Sequence, residues 1–159
     1  MRPVRLALLL STLTLVAGAS PAAAQIGFGG HVVQASDAFD GTTGVGARLK
    51  VGIPLFPVSA ALNGEYFFPD CGDADCSLYG ATLDLNYALP LPLLQPWVGV
   101  GWSVRKVEVD DASSTERGFN VGVGAELRLT AFRPFVDIRY ELADAPEKQY
   151  LLRLGIMIR

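Results

Sequence analysis

Three observations predict an all-β chain folded as an eight-stranded antiparallel up-and-down transmembrane barrel. From Gly44 to Ile158 apolar residues recur at every second position. The intervening positions carry the charges, and the segments that alternate in this way are mostly nine to thirteen residues long. Side chains of a strand point alternately to its two faces, so each segment has one apolar and one charged side. A tilted strand needs about 9–11 residues to cross a bilayer, whereas strands of soluble proteins average about 5–6.

Residues 1–24 precede the pattern and read as a cleaved signal peptide. Arg2 and Arg5 open it, Leu6 to Val16 form an apolar stretch, and Ala22-Ala23-Ala24 supply small residues before Gln25. That stretch is shorter than the ~20 residues of a spanning helix. Residues 25–159 then form one exported domain. It keeps eleven basic residues against sixteen acidic ones, a net charge near −5 that argues against nucleic acid as a partner.

The strands are expected at 27–35, 44–53, 58–68, 78–88, 97–107, 117–129, 134–142 and 150–158. In the second, Val45, Ala47, Leu49, Val51 and Ile53 alternate with Arg48 and Lys50. In the fourth, Tyr79, Ala81, Leu83, Leu85 and Tyr87 alternate with Asp84 and Asn86. The sixth sets Phe119, Val121, Val123, Ala125, Leu127 and Leu129 against Asn120, Glu126 and Arg128. Connections 35–43, 69–77, 108–116 and 143–149 are polar and acidic, while 54–57, 89–96 and 130–133 are mostly tighter and more apolar. Short turns at one end and longer polar loops at the other are the asymmetry of transmembrane barrels, and an even strand count leaves both termini at the turn end.

The charged side holds Arg48, Lys50, Glu65, Asp84, Arg105, Glu126, Arg128, Asp137, Arg139, Glu141 and Arg153, six bases and five acids. Its other positions are largely small, such as Gly46, Gly80, Gly99, Gly101, Gly122, Gly124 and Gly155. Long charged side chains beside glycines suit the crowded inside of an eight-stranded barrel, where side chains just fill the space. These eleven residues are therefore expected to face the lumen as a compensating network that plugs it and leaves no open pore. Aromatic residues gather near strand ends: Tyr66, Phe68, Tyr79, Phe119, Tyr140 and Tyr150 toward the loops, Phe56, Tyr87, Trp97 and Phe132 toward the turns. Two such girdles are expected at the two membrane interfaces. The competing reading is a soluble secreted or periplasmic lipocalin-like barrel with the apolar side inward around an apolar ligand.

Cys71 and Cys76, with four residues between them in an exported chain, are expected to form a disulfide that pins a loop. A metal site drawing on Asp70, Asp73 and Asp75 is the sharper alternative, but zinc normally takes four ligands and the single histidine, His31, is distant in sequence. Gly44-Val45-Gly46, Gly99-Val100-Gly101 and Gly122-Val123-Gly124 do not complete a nucleotide-binding Gly-x-Gly-x-x-Gly before a helix. His31 is the only candidate base, on the lumen side of the first strand, and the nearest serine in sequence, Ser36, lies in the following loop. Neither a catalytic group nor a cofactor is assigned, and a lipid-modifying enzyme is the weakest reading.

Pro96-Trp97-Val98-Gly99-Val100-Gly101, Gly122-Val123-Gly124-Ala125-Glu126 and Arg133-Pro134-Phe135-Val136-Asp137-Ile138-Arg139-Tyr140 resemble the small outer-membrane β-barrel family of opacity-protein and OmpA/OmpX-like eight-stranded barrels. The resemblance covers residues 25–159. It implies a bacterial outer-membrane protein, exported through the Sec route, inserted by the barrel-assembly machinery, surrounded by outer-membrane lipid and monomeric. Its expected role is structural or one of surface interaction. The chain ends Gly155-Ile156-Met157-Ile158-Arg159, which keeps the alternation but lacks the terminal aromatic usual in that family.

Overall fold

The computed structural model describes residues 25–36, 41–52, 56–72, 76–89, 91–110, 112–129, 131–143 and 149–158. The expected signal peptide, and Asp37, Asp40, Asp73, Asp75, Asp111, Asp144 and Glu147 of the acidic connections, lie outside these residues. Eight strands follow one another: β1 (Gln25–Ala35), β2 (Thr43–Gly52), β3 (Val58–Phe67), β4 (Cys76–Ala88), β5 (Leu94–Val109), β6 (Ala112–Leu127), β7 (Phe132–Ala143) and β8 (Gln149–Ile158). Each pairs antiparallel with its chain neighbours, and β1 pairs with β8 from Phe28↔Ile158 to Ala35↔Leu151, closing the barrel. Closure leaves no sheet edge, and in hydrocarbon each unpaired amide or carbonyl of an open edge would cost several kcal/mol.

The registers fix the tilt. Partner to partner, Gln25 leads through Gly52, Ser59, Asn86, Gly99, Gly122, Arg139 and Leu151 back to β1 at Ala35, ten residues beyond the start. With about 3.3 Å per residue and about 4.8 Å between strands, this stagger inclines the strands by roughly 40°. A ten-residue strand then spans about 25 Å along the barrel axis, the height of the apolar band of a transmembrane barrel. The stagger is even, so the seam at β1–β8 joins inward positions to inward positions.

The parity sorts as the sequence requires of a membrane barrel. Leu49, Leu62, Leu83, Val98, Val100, Val123, Ile138, Leu154 and Ile156 all project from the outer wall, while Arg48, Asp84, Glu126, Asp137, Arg139 and Arg153 are buried inside. A lipocalin-like arrangement needs the reverse orientation. Inward glycines make room for the charged groups. A Cβ on Gly122 would collide with the Arg139 side chain and the Ile138 carbonyl, and one on Gly124 with the Trp97 indole. Gly122→Ala is accordingly expected to lower the unfolding free energy by about 1–3 kcal/mol in urea titrations of the lipid-reconstituted protein.

Two expectations are corrected. Residues 108–110 and 112–116 are not a loop: β5 runs on to Val109 and β6 starts at its partner Ala112, with Asp110 at φ 49°. Every residue from Arg105 to Val109 has a partner on β6, and β4 continues the pairing up to Cys76↔Val109, so ladder hydrogen bonds hold a polar ribbon that apolar alternation does not mark. Trp97 does not belong to the turn-end girdle. It shares inward parity with Gly99 and Gly101, is 5% exposed, and lies over Gly124, the only residue type that leaves room for its ring. Among the other aromatics, Tyr87 and Phe132 stand on the outer wall toward the turns, while Phe56, also exposed, lines the turn-side mouth. Toward the loops, Tyr66 packs on Phe68 and Tyr79, and Tyr140 on Tyr150.

Candidate functional site: the charged lumen

The inward side chains form three tiers. At mid-height, Arg48, Arg139 and Arg153 face Glu65, Asp84 and Asp137, three charges of each sign. Arg153 donates from Nε to Glu65 Oε1 at 2.5 Å and from Nη1 to Asp137 Oδ2 at 3.3 Å. Arg139 donates from Nε to Asp137 Oδ1 at 2.9 Å and from Nη2 to Asn86 Oδ1 at 2.6 Å, with Asp84 Oδ1 3.6 Å from its Nη1. Arg48 pairs with Asp137 and donates from Nε to Asn63 Oδ1 at 2.6 Å. Asn63 Nδ2 in turn donates to Asp84 Oδ2 at 2.9 Å. These contacts link residues as far as 89 positions apart, so they form only in the closed barrel.

Toward the loops, Arg105 Nη2 lies 2.6 Å from Glu141 Oε2, which also accepts from Gln149 Nε2 at 3.2 Å. Toward the turns, Glu126 takes Lys50 Nζ at 2.8 Å and Arg133 Nη1 at 3.2 Å, while Arg128 Nε donates to Gln95 Oε1 at 3.2 Å. Apolar clusters stand at both levels: Val33, Ala35, Phe67, Leu78 and Leu151 on the loop side, Ala88, Trp97, Phe135 and Met157 on the turn side. Cations lie over their rings, Arg105 at 5.6 Å from the Phe67 centroid and Arg48 at 4.2 Å from that of Phe135. Charged groups taken out of water in this way need their mutual pairing, because an unpaired buried charge is strongly destabilising.

Of the eleven charged residues named from the sequence, nine are buried, while Lys50 and Arg128, the latter one position beyond the end of β6, are half-buried at the turn side. Cys71 and Cys76 are joined by a disulfide before β4, with Cα atoms 6.3 Å apart. His31 is buried with Nε2 3.1 Å from Glu65 Oε1, whereas Ser36 Oγ accepts from the Tyr150 amide at 3.0 Å beyond the end of β1.

Over residues 6–151 the sequence matches the family described as the outer membrane protein beta-barrel domain. The chain belongs to that family. Among solved structures this outer-membrane barrel is similar to Neisserial surface protein A (TM-score 0.63, 17% identity, 85% of this chain and 97% of the other). It is also similar to the N-terminal β-barrel domain of Pseudomonas aeruginosa OprF (TM-score 0.62, 15% identity, 85% and 98%). A third is Ail, the attachment invasion locus protein of Yersinia pestis (TM-score 0.55, 13% identity, 85% and 96%). At these identities the likeness is one of fold. No curated protein sequence matches the chain significantly.

Other lumen residues of the outer-membrane barrel escape a reading based on charge alone. Asn63, Thr82, Asn86, Asn120 and Gln149 are buried among the ions, and Arg133, expected in a turn, reaches Glu126. All the neutral ones lie at inward parity, so the same alternation that marks the ions marks them.

Proposed function

We propose that the protein is a monomeric, closed outer-membrane barrel with a structural or surface-interaction role, its lumen plugged by ion pairs. Sec export and insertion by the barrel-assembly machinery would bring it to the membrane. The mid-height tier carries this reading: three arginines and three carboxylates, mutually hydrogen-bonded, sit between two apolar clusters. Water or ions crossing such a lumen would have to part those pairs and pass both clusters. The polar β5–β6 ribbon beyond the girdle, with Ser113, Ser114 and Thr115 exposed, is what the barrel offers to partners outside. Planar-bilayer recording tests the plug. The purified protein is expected to insert without stepwise conductance, and reproducible unitary openings would refute a closed lumen.

A further inference from the structure

The mid-height and loop-side tiers balance their charges, but the turn-side mouth does not. Among the described residues lining it, Lys50, Arg128 and Arg133 face the single carboxylate Glu126, an excess of two positive charges around a cavity of about 80 Å³. Glu126 already accepts from Lys50 and Arg133, and among the described residues Arg128 donates only from its Nε, to neutral Gln95. In the same lining Ser59 is 7% exposed, and its hydroxyl has no hydrogen-bond partner among the described residues. A buried hydroxyl is normally paired, and clustered cations normally have matching anions.

We propose that this turn-side mouth binds one phosphate group, held by Arg128, Arg133 and Lys50, with the Ser59 hydroxyl as a further donor. Guanidinium groups suit this ligand because their fork of N–H donors matches phosphate oxygens two at a time. The cavity, at the mouth of the barrel, has room for a tetrahedral oxyanion beside these side chains. Gln25 of β1 and Ile158 of β8 lie at this end, the periplasmic one in the orientation expected of such barrels, so the phosphate is either free in solution or the headgroup of an inner-leaflet phospholipid.

Trp97 provides the readout, since Lys50 Nζ sits 5.4 Å from its ring centroid. In a Trp102→Phe background it is the only tryptophan, so inorganic phosphate can be titrated against its fluorescence in an uncharged maltoside detergent. Saturable binding with Kd below about 10 mM is expected. Arg128→Gln with Arg133→Gln should weaken it at least about tenfold, and Ser59→Ala should weaken it measurably. All variants are checked for the heat-modifiable gel shift of the folded barrel, and Arg128→Gln alone, which breaks no ion pair among the described residues, serves if the double variant does not fold. Glycerol phosphate competing with inorganic phosphate supports a free-phosphate site. Binding only of short-chain phosphatidylglycerol supports the headgroup form. Absence of saturation by all three, or equal affinity in the arginine variants, overturns the proposal.

Discussion

Truncating Arg153 to alanine is expected to destabilise the folded barrel by about 3–5 kcal/mol, the largest effect of any single lumen substitution. Arg153 is fully buried and is shared by three carboxylates, Glu65, Asp137 and Asp84. Removing it leaves two cations for three anions at mid-height, in a space that water reaches poorly. The loss is a property of the unpaired acids more than of the missing contacts, and this can be measured. Glu65→Gln combined with Arg153→Met removes one charge of each sign and should recover a substantial part of the loss. Urea unfolding in lipid vesicles, followed by the heat-modifiable gel shift, reports Arg153→Ala, the double variant and each of its two single changes. A double variant as unstable as the sum of its single changes would show that packing, not charge balance, sets the cost.

The eight strands are legible because a two-residue period is enforced by lipid on one side and by the crowded, charged lumen on the other. That enforcement ends where the membrane ends. Ser113, Ser114 and Thr115 meet water on both faces, so their strand leaves no alternation to detect, and only pairing with Glu108, Val107 and Lys106 reveals it. Trp97 shows the opposite failing. Its parity with Gly99 and Gly101 places it inside, but a large aromatic near a turn suggests an interfacial anchor. Parity is the stronger constraint because a strand cannot turn one side chain to the other face without a bulge.

Membership of the lumen was legible from the sequence, but partnership was not. Arg153 reaches Glu65 and Arg48 reaches Asp137 because the stagger of ten residues brings those strand positions to one level. No local pattern encodes that stagger. It emerges from the turns and from the β1–β8 seam together. Neutral members such as Asn63 and Asn86 belong to the same network, accepting from Arg48 Nε and Arg139 Nη2 while the carboxylates take other atoms of these arginines. Net charge alone hides them.

Leu83→Arg is the decisive test of which side of the wall meets lipid, and it is expected to cost about 2–4 kcal/mol. Leu83 is 58% exposed at the middle of β4, level with Leu62 on one neighbour and Trp102 on the other. At that depth a guanidinium has neither water nor a carboxylate to meet, because every carboxylate of the mid-height tier points inward. Depth supplies the control. Thr43, also exposed but at the loop end of β2, sits where an arginine can reach water, so Thr43→Arg should cost only about 0–1 kcal/mol. Both variants are compared with the parent by urea unfolding in the same vesicles. If water covered the wall, the two substitutions would be equally harmless, since exposed charges on a solvated strand perturb little. A clear excess cost at Leu83 therefore reports hydrocarbon at mid-height, and it does so without touching any member of the lumen network.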